Sequence, residues 1–85
     1  MVNYNIRIKS SAVKELNHLP GRELKRITRK IKDLENNPRP FGCEKLSTQE
    51  KYRIRQGDYR IIYSIDDAEL IVHIYKIVHR RDVYK

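Results

Sequence analysis

Apolar and polar residues alternate at the start of the chain, with Val2, Tyr4, Ile6 and Ile8 set against Asn3, Asn5, Arg7 and Lys9. A period of two is that of a strand with one buried face. The period then lengthens. Ser10 or Ser11 is placed to cap a short helix carrying Ala12, Val13, Leu16 and Leu19, because a hydroxyl at that position can accept a bond from a free first-turn amide. Pro20-Gly21 interrupts it, and Pro20 suits an early position of a second helix. There Leu24, Ile27, Ile31 and Leu34 recur at helical spacing and form one apolar stripe. Asn36-Asn37-Pro38 ends this helix, since the residue before proline is driven out of the α region. Residues 38 to 50, with Pro38, Pro40 and Gly42, read as a loop.

Period two returns at residues 51 to 65, KYRIRQGDYRIIYSI. Two strands meet at Gln56-Gly57-Asp58, where glycine followed by a polar residue signals a type II′ hairpin turn. Tyr52 and Ile54 share one face of the first strand, with Arg53 and Arg55 on the other. In the second, Tyr59, Ile61, Tyr63 and Ile65 oppose Arg60, Ile62 and Ser64. Asp66-Asp67 makes the next turn. From Leu70 to Val78 apolar residues occupy both faces, which predicts a central strand covered on both sides. The expected order is strand, helical hairpin, three-stranded meander. That is a single α+β domain over residues 1–85, a mainly antiparallel twisted sheet with both helices on one face. The arginines are left on the other.

Charge sharpens the picture. Lys and Arg number 19 against 11 Asp and Glu, a formal net charge of +8 in 85 residues. So cationic a small body predicts a polyanionic partner, most often nucleic acid. The second helix also carries Arg22, Lys25, Arg26, Arg29, Lys30 and Lys32, interspersed with Glu23, Asp33 and Glu35. Both a second RNA contact and a plain solvated surface fit that run. Cys43 is the single cysteine, so no internal disulfide forms and a reducing cytoplasm is expected. No leader-like n-region and h-region opens the sequence, and no apolar stretch is long enough to span a bilayer. Neither a cofactor nor a metal site is expected. Asp66 and Asp67 lack ligand partners at metal-site spacing.

Three guanidinium groups, Arg53, Arg55 and Arg60, lie within eight residues on neighbouring strands. Rigidly held arginine is suited to bidentate phosphate recognition. Metal-free RNA cleavage needs a base for the 2′-OH, a cation for the phosphorane and an acid for the leaving 5′-oxygen. Arg60 suits the second task and Arg80 can join it, but arginine stays charged and serves poorly as acid or base. His79, Tyr84, His73 and the lysines remain for those tasks. Each has a plainer reading too: Tyr84 as a packing aromatic, His73 as a core or sheet-face residue, His18 as structural or solvated. Arg53 and Arg55 also fit as edge-strand charges that discourage aggregation.

Tyr52-Arg53-Ile54-Arg55, Gly57-Asp58-Tyr59-Arg60-Ile61-Ile62-Tyr63 and His79-Arg80-Arg81-Asp82-Val83-Tyr84 together resemble the RelE/ParE superfamily of toxins, in particular its RelE-like ribonuclease branch. The resemblance spans nearly the whole chain. It implies a type II toxin that cleaves messenger RNA in the ribosomal A site by 2′-OH attack, leaving a cyclic phosphate and a 5′-hydroxyl. By this similarity Arg60 is the phosphate-stabilising strand arginine, Arg80 the arginine after the last strand and Tyr84 the carboxy-terminal tyrosine. His79 matches a histidine found at this point in many members. Lys51, Arg53, Arg55, Arg81 and Lys85 are the accompanying RNA- and phosphate-binding cations. Where the best-studied type has lysines on the first hairpin strand, this chain has Arg53 and Arg55, which moves the base role to His79 or an activated Tyr84. The resemblance also implies a wrapping, acidic RelB-like antitoxin, with the free toxin monomeric and the complex of higher order. The alternatives are a ParE-like inhibitor of DNA gyrase and a non-catalytic basic RNA- or antitoxin-binding module.

Overall fold

The computed structural model describes residues 3–46 and 50–82. Strand β1 (Asn5–Ile8) is followed by helices α1 (Ser10–Asn17) and α2 (Gly21–Asp33). Four further strands complete the order: β2 (Glu44–Lys45), β3 (Tyr52–Gln56), β4 (Tyr59–Asp66) and β5 (Ile71–His79), with a short 3-10 turn at Arg80–Asp82. The sheet runs β1-β5-β4-β3-β2. β1 pairs in parallel with β5, from Asn5 opposite Ile71 to Ile8 opposite Ile74, and all other pairs are antiparallel. Both helices lie on one face, so the expected α+β architecture holds. Its meander has four strands rather than three.

The alternation seen in the sequence decides which residues enter the core. Ile54, Ile61, Tyr63, Val72, Ile74 and Ile77 point from the sheet to the helices, where Ala12 and Leu16 of α1 and Ile27, Ile31 and Leu34 meet them. Removal of each such aliphatic side chain from water contributes roughly 1.5–3 kcal/mol. Burial pushes the Tyr63 phenol above its ordinary pKa, with Cys43 adding to the effect. Its hydroxyl stays neutral and donates to the Pro38 carbonyl at 2.7 Å. That bond anchors the chain where it leaves α2.

Several boundaries differ from expectation, each for a physical reason. Ser10 and Ser11 lie inside α1; its N-cap is Lys9, with no side-chain cap, because the Lys9 amide is held by the Ile74 carbonyl at 2.9 Å. Pro20 is the N-cap of α2 rather than its first residue. Residues 44–45, read as loop, form a two-residue edge strand: Glu44 opposes Arg53 and bonds it across the strands at 2.6 Å. Leu70 lies outside β5, at φ +57. β5 is central, between β1 and β4, but it is covered on one face only. Its outer residues Ile71, His73 and Val78 are half-buried by neighbouring side chains, and Lys76 is exposed. A bulge there pairs Ile62 with Lys76 and Tyr63 with Ile74, leaving Tyr75 unopposed and turned toward Ser64, whose hydroxyl lies 3.3 Å from the Tyr75 hydroxyl.

Candidate functional site: an arginine-lined cleft at the hairpin end

The β3–β4 hairpin fixes the site. Gln56 pairs with Tyr59, so Gly57-Asp58 is a two-residue loop. Gly57 has φ +61 and Asp58 is not among the positive-φ residues, the pattern of the type II′ turn. This register sets Arg55 directly across from Arg60. On the other side Arg60 pairs with Val78, so Arg80, two residues on, returns to the same end of the sheet. Its amide donates to the Asp58 carbonyl at 2.7 Å, and its guanidinium lies 3.8 Å from the Asp58 carboxylate. The 3-10 turn is thereby pinned to the hairpin tip.

Arg55, Gly57, Asp58, Tyr59, Arg60 and Arg80 line a cleft of about 220 Å³. Three guanidiniums and one carboxylate leave it strongly positive. Arg60 is half-buried, and its Nη1 is shut off from solvent with no hydrogen-bond partner among the described residues. A buried donor left unpaired costs about 1–3 kcal/mol. Arg60 also lines the open cleft beside two more cations, where their guanidiniums would hold a bound anion. The arrangement can bind a phosphate through several charge-assisted bonds and offset charge that builds up on it.

Arg53 lies on the same face as Arg55 but is engaged by Glu44. The Arg53 guanidinium in turn holds the Glu44 carboxyl below its usual pKa. Lys51 immediately precedes β3, its ammonium 4.4 Å from the centre of the Tyr75 ring, and His73 is beside that tyrosine. His79 pairs with Tyr59, so strand alternation puts it on the helix side, opposite Arg60. Its ring meets Tyr59 edge-on at 5.0 Å, and Nδ1 accepts the Arg81 amide at 3.1 Å. Arg81 is exposed. His18 is exposed and bonds the Lys14 carbonyl of its own helix. Tyr84 and Lys85 lie outside the described residues. The hairpin and the 3-10 turn thus bring together Arg55, Arg60 and Arg80; Arg53, Lys51 and His79 are directed elsewhere.

Sequence reasoning missed a second cluster. Arg39, from the segment after α2, makes two bonds to Asp67 at 2.9 and 3.3 Å and a third to the Tyr52 hydroxyl at 3.2 Å. The Tyr4 hydroxyl donates to the same carboxylate at 2.7 Å. The Arg39 and Tyr4 bonds hold the Asp67 carboxyl below its usual pKa, and the Asp67 bond raises that of the Tyr4 phenol. Nothing in the spacing of these four residues marks them as partners.

The sequence model of the family described as the ParE toxin of type II toxin–antitoxin systems, parDE, matches residues 6–84. This chain belongs to that toxin family, within the RelE/ParE superfamily. It is 32% identical to toxin RelG of Mycobacterium tuberculosis over 96% of this chain and 97% of that protein. The toxin superposes on a chain of the archaeal RelE–RelB complex from Pyrococcus horikoshii with a TM-score of 0.85, at 32% identity, covering 96% of this chain and all of that one. A chain of the RelBE2 toxin–antitoxin complex of Mycobacterium tuberculosis follows at 0.83 and 30%, with 93% and 100% covered. The match extends through the strands that carry Arg55 and Arg60. No helix among the toxin's described residues is long and apolar enough to cross a membrane.

Proposed function

We propose that this toxin is a ribosome-dependent endoribonuclease that cleaves messenger RNA without a metal. The observation that carries the reading is the convergence of Arg55, Arg60 and Arg80 on one cleft. A scissile phosphate seated there meets guanidiniums carried by β3, β4 and the 3-10 turn. The 2′-oxygen attacks the adjacent phosphorus as a base removes its proton. The bond from phosphorus to the 5′-oxygen then breaks, and an acid protonates the leaving oxygen. The products are a 2′,3′-cyclic phosphate and a 5′-hydroxyl. Arg60 and Arg80 offset charge on the phosphorane, and Arg55 holds a non-bridging oxygen. Tyr84 is the group assigned to proton transfer. His79 supports the site from behind through Tyr59 and the Arg81 amide rather than meeting the phosphate.

The named relatives with solved structures are held in complexes with RelB, which supports a RelB-like antitoxin as this toxin's partner. An acidic segment that orders on binding would close a cleft of this charge. Mapping new 5′ ends on translated messages after induction tests the reading. Cuts inside codons are expected, bearing 5′-hydroxyls. Intact messages with gyrase-linked DNA breaks would refute it in favour of gyrase inhibition.

A further inference from the structure

The most concentrated charge outside the cleft is on α2. Arg22, Lys25, Arg26 and Arg29 are three and four residues apart, one helical turn from each other, and lie opposite the buried Ile27 and Ile31. Together with Gly21 they line an open concavity of about 870 Å³. All four are exposed, and none joins an ion pair among the described residues. Asp33 closes the stripe one turn beyond Arg29. The start of α2 abuts the hairpin tip, with the Glu23 carboxylate within 3.7 Å of where a Cβ on Gly57 would stand.

We propose that this stripe is a second RNA-binding surface, which grips the phosphate backbone without reading its sequence. It rests on the reading that the toxin's target is RNA, and it is independent of the cleavage step. The charge pattern favours RNA over an acidic protein segment. A peptide helix laid on a groove needs apolar anchors on both sides, and this concavity is lined by four cations and a glycine alone. The exposed large apolar residues, Ile8, Val13, Phe41 and Leu70, all lie off α2. Three of the four cations are arginines, whose planar forks match phosphate oxygens.

The test is binding of the intact toxin to a short RNA hairpin, followed against salt concentration. In the variant R22Q/K25Q/R26Q/R29Q, glutamine keeps helix propensity while removing charge. Each lost phosphate contact lowers the slope of log affinity against log salt by about 0.7–0.9. The expected result is a slope shallower by about 3 with an unchanged melting temperature. R22K/R26K/R29K keeps the charge and the slope. R60A leaves the hairpin slope nearly intact, whatever it does to cleavage, which separates this surface from the cleft. The proposal is overturned if the glutamine variant binds the hairpin with the parental slope. It is equally overturned if that variant instead loses affinity only for the antitoxin, which would assign the stripe to protein recognition.

Discussion

Replacing Arg60 with alanine probes the cleft most directly, because function and stability should move independently. Its Nη1 is sealed from water and unpaired among the described residues, so the folded protein gains little from this guanidinium. Deleting it relieves a desolvation cost of about 1–3 kcal/mol and loses part of the packing of its aliphatic stem, a term of similar size. The net change in stability should stay within about 1 kcal/mol, or roughly 4–8 °C in Tm for a domain this small. Catalysis loses one fixed donor aimed at a developing oxyanion, which costs about 2.7–4 kcal/mol, or a factor of about 10²–10³ in rate. Single-turnover cleavage on programmed ribosomes at saturating toxin measures the chemical step. Inorganic phosphate gives a second reading. At ten times its Kd it should stabilise the parent by about 1.4 kcal/mol, and R60A should lose that shift. Full cleavage by R60A would refute the assignment. So would a fall in Tm large enough to unfold the variant, since Arg60 would then be holding the sheet together.

Tyr84→Phe should slow single-turnover cleavage and leave ribosome binding near the parental value; an unchanged rate removes Tyr84 from the chemistry. Arg55→Ala should reduce cleavage more than Arg53→Ala, because Arg53 is already engaged by Glu44 at 2.6 Å, and equal losses would contradict the geometry. Tyr63→Phe leaves the buried Pro38 carbonyl without its 2.7 Å donor and should cost about 1–2 kcal/mol in a denaturant titration. Asp67 has a folded pKa below its ordinary value, owing to its bonds from Arg39 and Tyr4. Its contribution to stability is therefore complete above that ordinary value and is lost as pH falls through the folded one. Asp67→Asn should flatten the acid limb of a Tm–pH profile, and an unaltered limb would remove this carboxylate as a cause.

Local periodicity carried most of the fold. The stripe of α2, the alternation in β3 and β4 and the Gly57 turn were all legible because each depends on near neighbours in the chain. The sequence put three arginines on neighbouring strands, and the observed register set Arg55 opposite Arg60. What was hidden depends on distant parts of the chain. Glu44–Lys45 is a strand only because Glu44 meets Arg53, and two residues are too few for a period. Leu70–Val78 shows apolar residues on both faces, yet the outer side is shielded by side chains of adjacent strands rather than by a second layer. In the site, the type and placement of Arg60 and Arg80 were readable. The facing of His79 was not, because it depends on its register against Tyr59. The Arg39–Asp67 link joins a loop to a turn and has no local signature.

The parallel pairing of β1 with β5 has a consequence for synthesis. β1 finds its ladder partner only in β5, so a partial chain that lacks β5 leaves β1 unpaired. Arg80 is translated later still. A nascent polypeptide that stops short of Arg80 therefore lacks one of the three guanidiniums that line the cleft.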